Sequence, residues 1–373
     1  MVTVVQLHRT SGASSGAAAL GALADGLAPP ERELVARALE FAEPLYAGKL
    51  LSTGEPTWAH ALGLGAGLAA IGLDAPGRAA GLLFAAPKHL GAGERLREAF
   101  GAEVAGLAAG VEKLYQLRVA TRDNAVEQSE VLRKMVLGMV EDVPEVLIRL
   151  ASRTQTLRWF SKNPSPERSE YAKETLDIYS PLANRLGIWP VKWEMEDLAF
   201  RCLEPETYRN LARQLDEKRK DRETYIGEVI HILRVELKAA GIAAEVSGRP
   251  KHIYSIWRKM KRKGVGLDDL FDVRAVRVMV EDVKDCYAVL GIVHNLWTPI
   301  PGEFDDYIAK PKSNQYRSLH TAVVGPQDKA LEVQIRTYEM HQHSELGVAA
   351  HWRYKEGAKS DAKFDEKIIW LRQ

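Results

Sequence analysis

The feature that most restricts this chain is a change of texture near Gly241. From about Pro29 to Arg158, apolar residues recur at three- and four-residue spacing, in segments such as Glu31 to Ala47 and Val126 to Leu150. That period belongs to amphipathic helices. A polar stretch with two prolines, Lys162 to Glu167, interrupts it before helical spacing resumes at Glu170 and runs to about residue 240, through a highly charged segment from Tyr208 to Leu237. Short β-branched runs then take over at Ile242–Ser247, Val273–Val280, Leu319–Val324 and Leu331–Thr337, with helical patterns at Ser255–Lys263, Val283–Trp297 and Tyr338–Tyr354. The expectation is an all-helical domain over residues 1–160, a helical connector over 161–240 and a mixed α/β domain over 241–373.

Composition limits what these domains do. Lys plus Arg (51) balances Asp plus Glu (50), so the net charge of +1 gives no support to coating nucleic acid by bulk electrostatics. Any phosphate-binding site has to be local. Cys202 and Cys286 lie far apart and outside any metal or redox spacing, which suits a reducing cytoplasm. The first residues lack the charge and apolar core of a signal peptide, and the longest apolar run, Ala61 to Leu73, is short and Gly-rich. A cytoplasmic chain with no membrane partner is expected.

Three constellations carry chemistry. The segment Gly248 to Gly264 holds seven Lys or Arg residues. Arg249 and Lys251 fall in a loop after a strand, while Ser255 and Lys259 stack at i and i+4 on the next helix, so a helix start lies beside several cations, as polyphosphate sites require. A solvated helix face is the plainer reading of such a run. Asp272 and Glu332 each place one carboxylate in an apolar strand, and alternation puts Glu332, Gln334 and Arg336 on one face. Two carboxylates beside a basic run suit Mg²⁺, which takes one or two and completes its shell with phosphate and water. In Lys310 to His320, Pro311 and Asn314 favour a loop, and Tyr316 offers either a packing ring or a stacking surface for a base.

Gly248-Arg249-Pro250-Lys251-His252 with Tyr254-Ser255-Ile256, then Leu270-Phe271-Asp272, Tyr316-Arg317-Ser318-Leu319-His320 and Glu332-Val333-Gln334-Ile335-Arg336 resemble, in this order, the synthetase motifs of the RelA/SpoT alarmone family. The resemblance implies a nucleotidyltransferase-like fold of the polymerase-β type for residues 240–355. It also implies transfer of pyrophosphate from ATP to the 3′-hydroxyl of GDP or GTP, with AMP released, in the stringent response. On this likeness Asp272 and Glu332 hold Mg²⁺, and Glu332 draws the proton from the acceptor. Arg249 and Arg277 clasp adenine, while Lys251, Ser255 and Lys259 grip the ATP phosphates. Tyr316 stacks on guanine; Lys312, His320, Gln334 and Arg336 position the acceptor, and His341 matches a further guanine contact.

The N-terminal half is similar to the family's HD-type hydrolase domain, which removes the same pyrophosphate with a manganese ion. His60 matches its first metal ligand. The His-Asp pair expected after Leu82-Leu83 reads Phe84-Ala85, and the later aspartate reads Ser152. A side chain without a donor atom cannot ligate, and a neutral hydroxyl replaces a carboxylate poorly. An inactive hydrolase domain is therefore expected. Glu303-Phe304-Asp305-Asp306 matches the acidic motif of synthetase-only members and, by sequence, sits in a polar turn after Pro301-Gly302. Long members of the family engage the ribosome and uncharged tRNA through C-terminal domains, which would lie beyond Gln373. An RNA-binding module built on the basic run, and a nucleotide-binding regulator without catalysis, stay open on the sequence.

Overall fold

The computed structural model describes residues 16–90, 93–116, 143–217, 219–249, 251–267, 274–312 and 314–346. They divide into two compact units, one ending at Ala183 and the other beginning at Asn184.

The first unit is helical: α1 (Gly16–Leu23), α2 (Pro29–Tyr46), α3 (Thr57–Ala70), α4 (Ala75–Leu82), α5 (Ala86–Leu90), α6 (Glu94–Gln116), α7 (Val143–Phe160) and α8 (Arg168–Glu174). A π-helical turn, Thr175–Tyr179, and α9 (Ser180–Arg185) lead across the boundary. Of the helix expected over Val126–Leu150, the part before Val143 lies outside the described residues. Local chemistry explains the ends. Asp74 Oδ1 accepts from the Gly77 N–H at 3.0 Å and caps α4, and Gly101, at φ 85°, kinks α6. Helix α7 is buried almost all round, which carries Ser152 and the polar heads of Arg149 and Arg153 into the interior.

The second unit begins with three helices, α10 (Trp189–Leu203), α11 (Pro205–Glu217) and α12 (Arg219–Ala239). There follow β1 (Ala244–Gly248), α13 (Ile253–Lys263), β2 (Ala275–Val280), α14 (Val283–Leu296), β3 (Thr298–Asp306), β4 (Leu319–Val324), β5 (Ala330–Thr337) and α15 (Tyr338–Leu346). The sheet order is β1-β2-β5-β4-β3, with β2 and β5 parallel and the other pairs antiparallel. Alternation sends Val276, Val278, Leu319, Val323, Val333 and Ile335 to one face, where they form a single core with Tyr225, Val229 and Leu233 of α12 and Cys286, Val289 and Val293 of α14. Each such aliphatic side chain contributes roughly 1.5–3 kcal/mol on burial. The other face carries Arg277, His320, Glu332, Gln334 and Arg336 beside Ala275, Met279, Ala322 and Val324.

One expectation is corrected. Glu303–Asp306 belongs to the edge strand β3, not to a turn. Pro299 and Pro301 hide the strand from a sequence reading, because proline is tolerated only at edges and bulges. The register does shift between Pro299 and Phe304, where Gly302 takes φ 77°.

Candidate active site

Register aligns the polar face. Arg277 of β2 pairs with Gln334 of β5, and Gln334 with His320 of β4, so three of the residues singled out in the sequence lie in one row across neighbouring strands. Glu332 is two residues along β5 on the same face. Asp272 lies outside the described residues. Arg249 directly follows β1, and its backbone N–H donates to Ala275 O at 2.8 Å, which holds it at the end of β2.

Glu332 is the focus of this face. Lys251 Nζ donates to its Oε2 at 2.5 Å and Gln334 Nε2 to its Oε1 at 2.7 Å. Arg249 Nη1 stands 3.8 Å and His320 Nδ1 3.9 Å from Oε1. Burial pushes the carboxyl upward, but Lys251 and Arg249 beside it hold it down at about 2. Burial likewise pushes His320 down to about 4, against the pull of Glu332 and with the help of Arg249 and Lys312. Glu332 is therefore an anion and His320 neutral near pH 7, so the cations carry the effect on the carboxylate. Gln334 Oε1 is buried with no hydrogen-bond partner among the described residues. A carboxylate and an amide carbonyl are hard oxygen donors, so this pair fits Mg²⁺.

Two of the partners of Glu332, Arg249 and Lys251, also line a cavity of about 510 Å³. Arg249, Lys251, Ser255 and Lys259 line it, joined by Arg258 and Arg262 of α13. Four of the five residues expected to bind ATP are thus brought together; Arg277 is not among the lining residues. The opposite wall, Lys192, Trp193 and Glu196 of α10, carries no motif that would have flagged it. The start of α13 also differs from expectation. His252 at its N-cap makes no side-chain capping bond, and the Tyr254 N–H instead donates to Asp197 Oδ1 of α10 at 2.8 Å. One of the amides expected to face phosphate is therefore engaged, leaving the side chains as the evident anion binders.

Beyond His320, a tight turn gathers aromatic rings. Lys312 O accepts from the Gln315 N–H at 2.8 Å, with Gln315 in the left-handed region at φ 61°. This places Lys312 Nζ 4.2 Å from the Tyr307 ring centroid and 5.6 Å from that of Tyr316. The Tyr316 hydroxyl lies 2.8 Å from His320 Nε2, and Trp189 of α10 stands edge-on to the Tyr316 ring at 5.8 Å. Arg336 is buried and donates to Ser344 Oγ of α15. His341, also on α15, is pushed down to about 4 by burial and by Arg336 and Arg277. Tyr307 and Trp189 were invisible as site residues because single aromatics carry no spacing.

In the first unit His60, Phe84, Ala85 and Ser152 also come together. His60 Nδ1 lies 2.8 Å from Glu55 Oε2, and its Nε2 2.8 Å from Ser152 Oγ. Gln155 Nε2 donates to the second Glu55 oxygen at 2.8 Å, and the Tyr115 hydroxyl bonds Ser152. The Phe84 ring packs 4.9 Å from His60 and 5.8 Å from Tyr115. Glu55, His60 and Ser152 stand in the order of a nucleophilic triad. All three are 1% exposed or less, so this arrangement is a sealed polar network rather than a site open to substrate.

Residues 38–189 match the family described as "HD domain" and residues 248–359 that described as "Region found in RelA / SpoT proteins". The chain is 50% identical over 287 residues to a GTP pyrophosphokinase of Photobacterium angustum, covering 75% of this chain and 39% of the relative. It is 42% identical over 346 residues to a GTP pyrophosphokinase of Myxococcus xanthus, covering 92% and 46%. It is also 42% identical over 348 residues to a guanosine-3′,5′-bis(diphosphate) 3′-pyrophosphohydrolase of Aquifex aeolicus, covering 92% and 49%. The chain spans less than half the length of each of these relatives.

Proposed function

Because the chain belongs to the RelA/SpoT family, we propose that its second unit is a pyrophosphokinase that makes (p)ppGpp from ATP and GDP or GTP, and that its first unit is a silent hydrolase domain. One observation carries the synthetic reading: an ionised Glu332 held by Lys251 and Arg249, which themselves line a cation-rich cavity, with His320 and the Tyr316 hydroxyl bonded to it close by.

In this reading the cavity takes ATP. Lys251, Ser255 and Lys259 hold the phosphates, and Arg249 lays a planar guanidinium against adenine, with Arg277 on the adjoining strand. Tyr316 stacks on guanine, and Lys312, His320, Gln334, Arg336 and His341 fix the acceptor. The 3′-oxygen attacks the β-phosphorus in line, the bond from that phosphorus to the α,β-bridging oxygen breaks, and AMP leaves. Glu332, with Asp272, would hold Mg²⁺, which when bound offsets the charge gathering on the transferred group. A carboxyl held near 2 is a weak base, so Glu332 accepts the 3′-proton with little driving force. Most of the rate then comes from positioning and charge stabilisation.

The silence of the first unit is supported by the occupation of both His60 nitrogens and by Phe84 and Ala85, which have no donor atoms for Mn²⁺. A nucleic-acid-binding reading is weaker, since Arg258, Lys259 and Arg262 of α13 line a cavity with Glu196 in its wall, while Lys263 pairs with Glu303. Among the described residues no helix is long and apolar enough to cross a membrane, in keeping with a cytoplasmic enzyme of the stringent response. Ribosome and uncharged tRNA would be met through C-terminal domains like those of long family members. Incubation with ATP, Mg²⁺ and GDP or GTP, followed by chromatographic separation, tests the proposal: AMP and (p)ppGpp should appear in equal amounts. ATP bound without AMP release would defeat it.

A further inference from the structure

We propose that α10 is a positioning wall for both substrate sites, with Trp193 and Asp197 serving the donor and Trp189 the acceptor; this rests on the reading of the cavity as the ATP site. The three residues lie four apart and therefore share one face of the helix. Trp193 stacks on His252, with centroids 5.1 Å apart and planes 23° apart, and the Arg249 guanidinium stands 5.5 Å from its ring. Asp197 supplies what the first turn of α13 lacks. Its Oδ1 accepts from the Tyr254 N–H, and its Oδ2 lies 3.1 Å from His252 Nδ1. Together they fix the orientation of Arg249 and the start of the helix that carries Ser255 and Lys259.

Trp189 continues the ridge toward the acceptor side. It lies 5.7 Å from Trp193 and meets Tyr316 edge-on at 71°. A ring held this way presents its face in one direction, which lowers the ordering cost of stacking a base. One helix thus sets two groups that must be aligned for in-line transfer, and a small misplacement of either costs rate steeply.

The test uses the whole chain, with the α,β-methylene analogue of ATP and GDP as separate calorimetric probes. Trp193→Ala should weaken the analogue by about 3- to 30-fold, the range of a lost cation–π contact, and leave GDP within about two-fold; Trp193→Phe should recover most of the loss. Asp197→Ala should behave similarly, and Asp197→Asn, which keeps a capping oxygen, should lie near wild type. Trp189→Ala should give the mirror result, weakening GDP selectively. In turnover, Trp193→Ala should raise KM for ATP more than it lowers kcat. Equal weakening of both probes by each variant, or unchanged analogue affinity in folded Trp193→Ala, would overturn the inference. Should Trp193→Ala fail to fold, the Asp197 pair decides: equal affinities of Asp197→Ala and Asp197→Asn would overturn it. No analogue binding by the wild type would overturn the functional reading itself, a distinguishable failure.

Discussion

Phe84→Ala measures whether the first unit has replaced a metal site with packing. The ring is 2% exposed and contacts His60, Tyr115 and Tyr46, the last at 5.9 Å. Its surroundings cannot close in easily. The Tyr46 hydroxyl is fixed by the Ala85 N–H at 3.1 Å, His60 is held at both nitrogens, and Leu82 and Leu83 are fully buried. Truncating such a phenylalanine removes its transfer free energy and leaves an unrelaxed cavity, a loss of about 3–5 kcal/mol. For a unit of this size each kcal/mol lowers the melting temperature by about 2–4 °C, so the calorimetric transition should fall by roughly 6–20 °C. Mn²⁺ should not raise the wild-type transition, because a ligand stabilises only where it binds the folded state. A loss below about 1 kcal/mol, on the scale of a surface substitution, would refute the packing argument. So would Mn²⁺ stabilisation of the wild type that His60→Ala removes.

Other expectations concern the second unit. Tyr316→Ala should weaken GDP by about 5- to 150-fold, the worth of stacking on one base, with ATP-analogue affinity nearly intact; calorimetry reads both, and unchanged GDP binding would reduce Tyr316 to a packing ring. Glu332→Gln should nearly abolish AMP release while the chain stays folded, since the amide preserves size but neither charge nor metal affinity. Wild-type turnover in that variant would remove Glu332 from the site. Chelation of Mg²⁺ should stop (p)ppGpp formation and re-addition restore it, followed chromatographically; persistence of synthesis in excess chelator would exclude the metal. His60→Ala should leave (p)ppGpp synthesis per folded molecule unchanged, and a selective loss would show that the network it anchors acts on the second unit.

The strands were legible because period-two alternation survives in Val276–Val280 and Leu331–Ile335, where one face must enter the core. The same alternation put Glu332, Gln334 and Arg336 on one face, whereas Arg277 and His320 came only from the resemblance, and their row with Gln334 emerges from the register. What could not be read was long-range supply. Asp197 lies 57 residues from the Tyr254 amide it caps, and Glu55 lies 100 residues from Gln155, which donates to it. Neither contact has a local spacing, and both residues look like ordinary surface acids in the sequence. The charged texture of residues 208–237 suggested a helical connector. Yet α12 buries Tyr225, Val229 and Leu233 under the sheet, a stripe easily lost among its many charges. The edge strand β3 was obscured for the opposite reason, since its prolines and acids are devices that keep an edge from pairing further.

Overall identity does not separate the relative named for synthesis from the one named for hydrolysis. The Myxococcus pyrophosphokinase and the Aquifex pyrophosphohydrolase are each 42% identical to the chain over nearly the same length. The distinction has to come from a few positions whose chemistry is all-or-none. A metal site fails when its donor atoms go, whatever the rest of the fold retains, and here Phe84 and Ala85 offer none while Ser152 is tied to His60 and Tyr115. The second unit shows the converse economy. A chain with a net charge of only +1 gathers Arg249, Lys251, Lys259 and Arg262 around one cavity and sets Glu332 against two of them. Uniform basicity would bind any polyanion; cations focused on one cavity beside a buried carboxylate favour a ligand that brings its own negative charge and a metal to share it. A nucleoside triphosphate would meet that condition, and under the proposed function the aromatic turn around Tyr316 would give the second nucleotide a place near the same carboxylate.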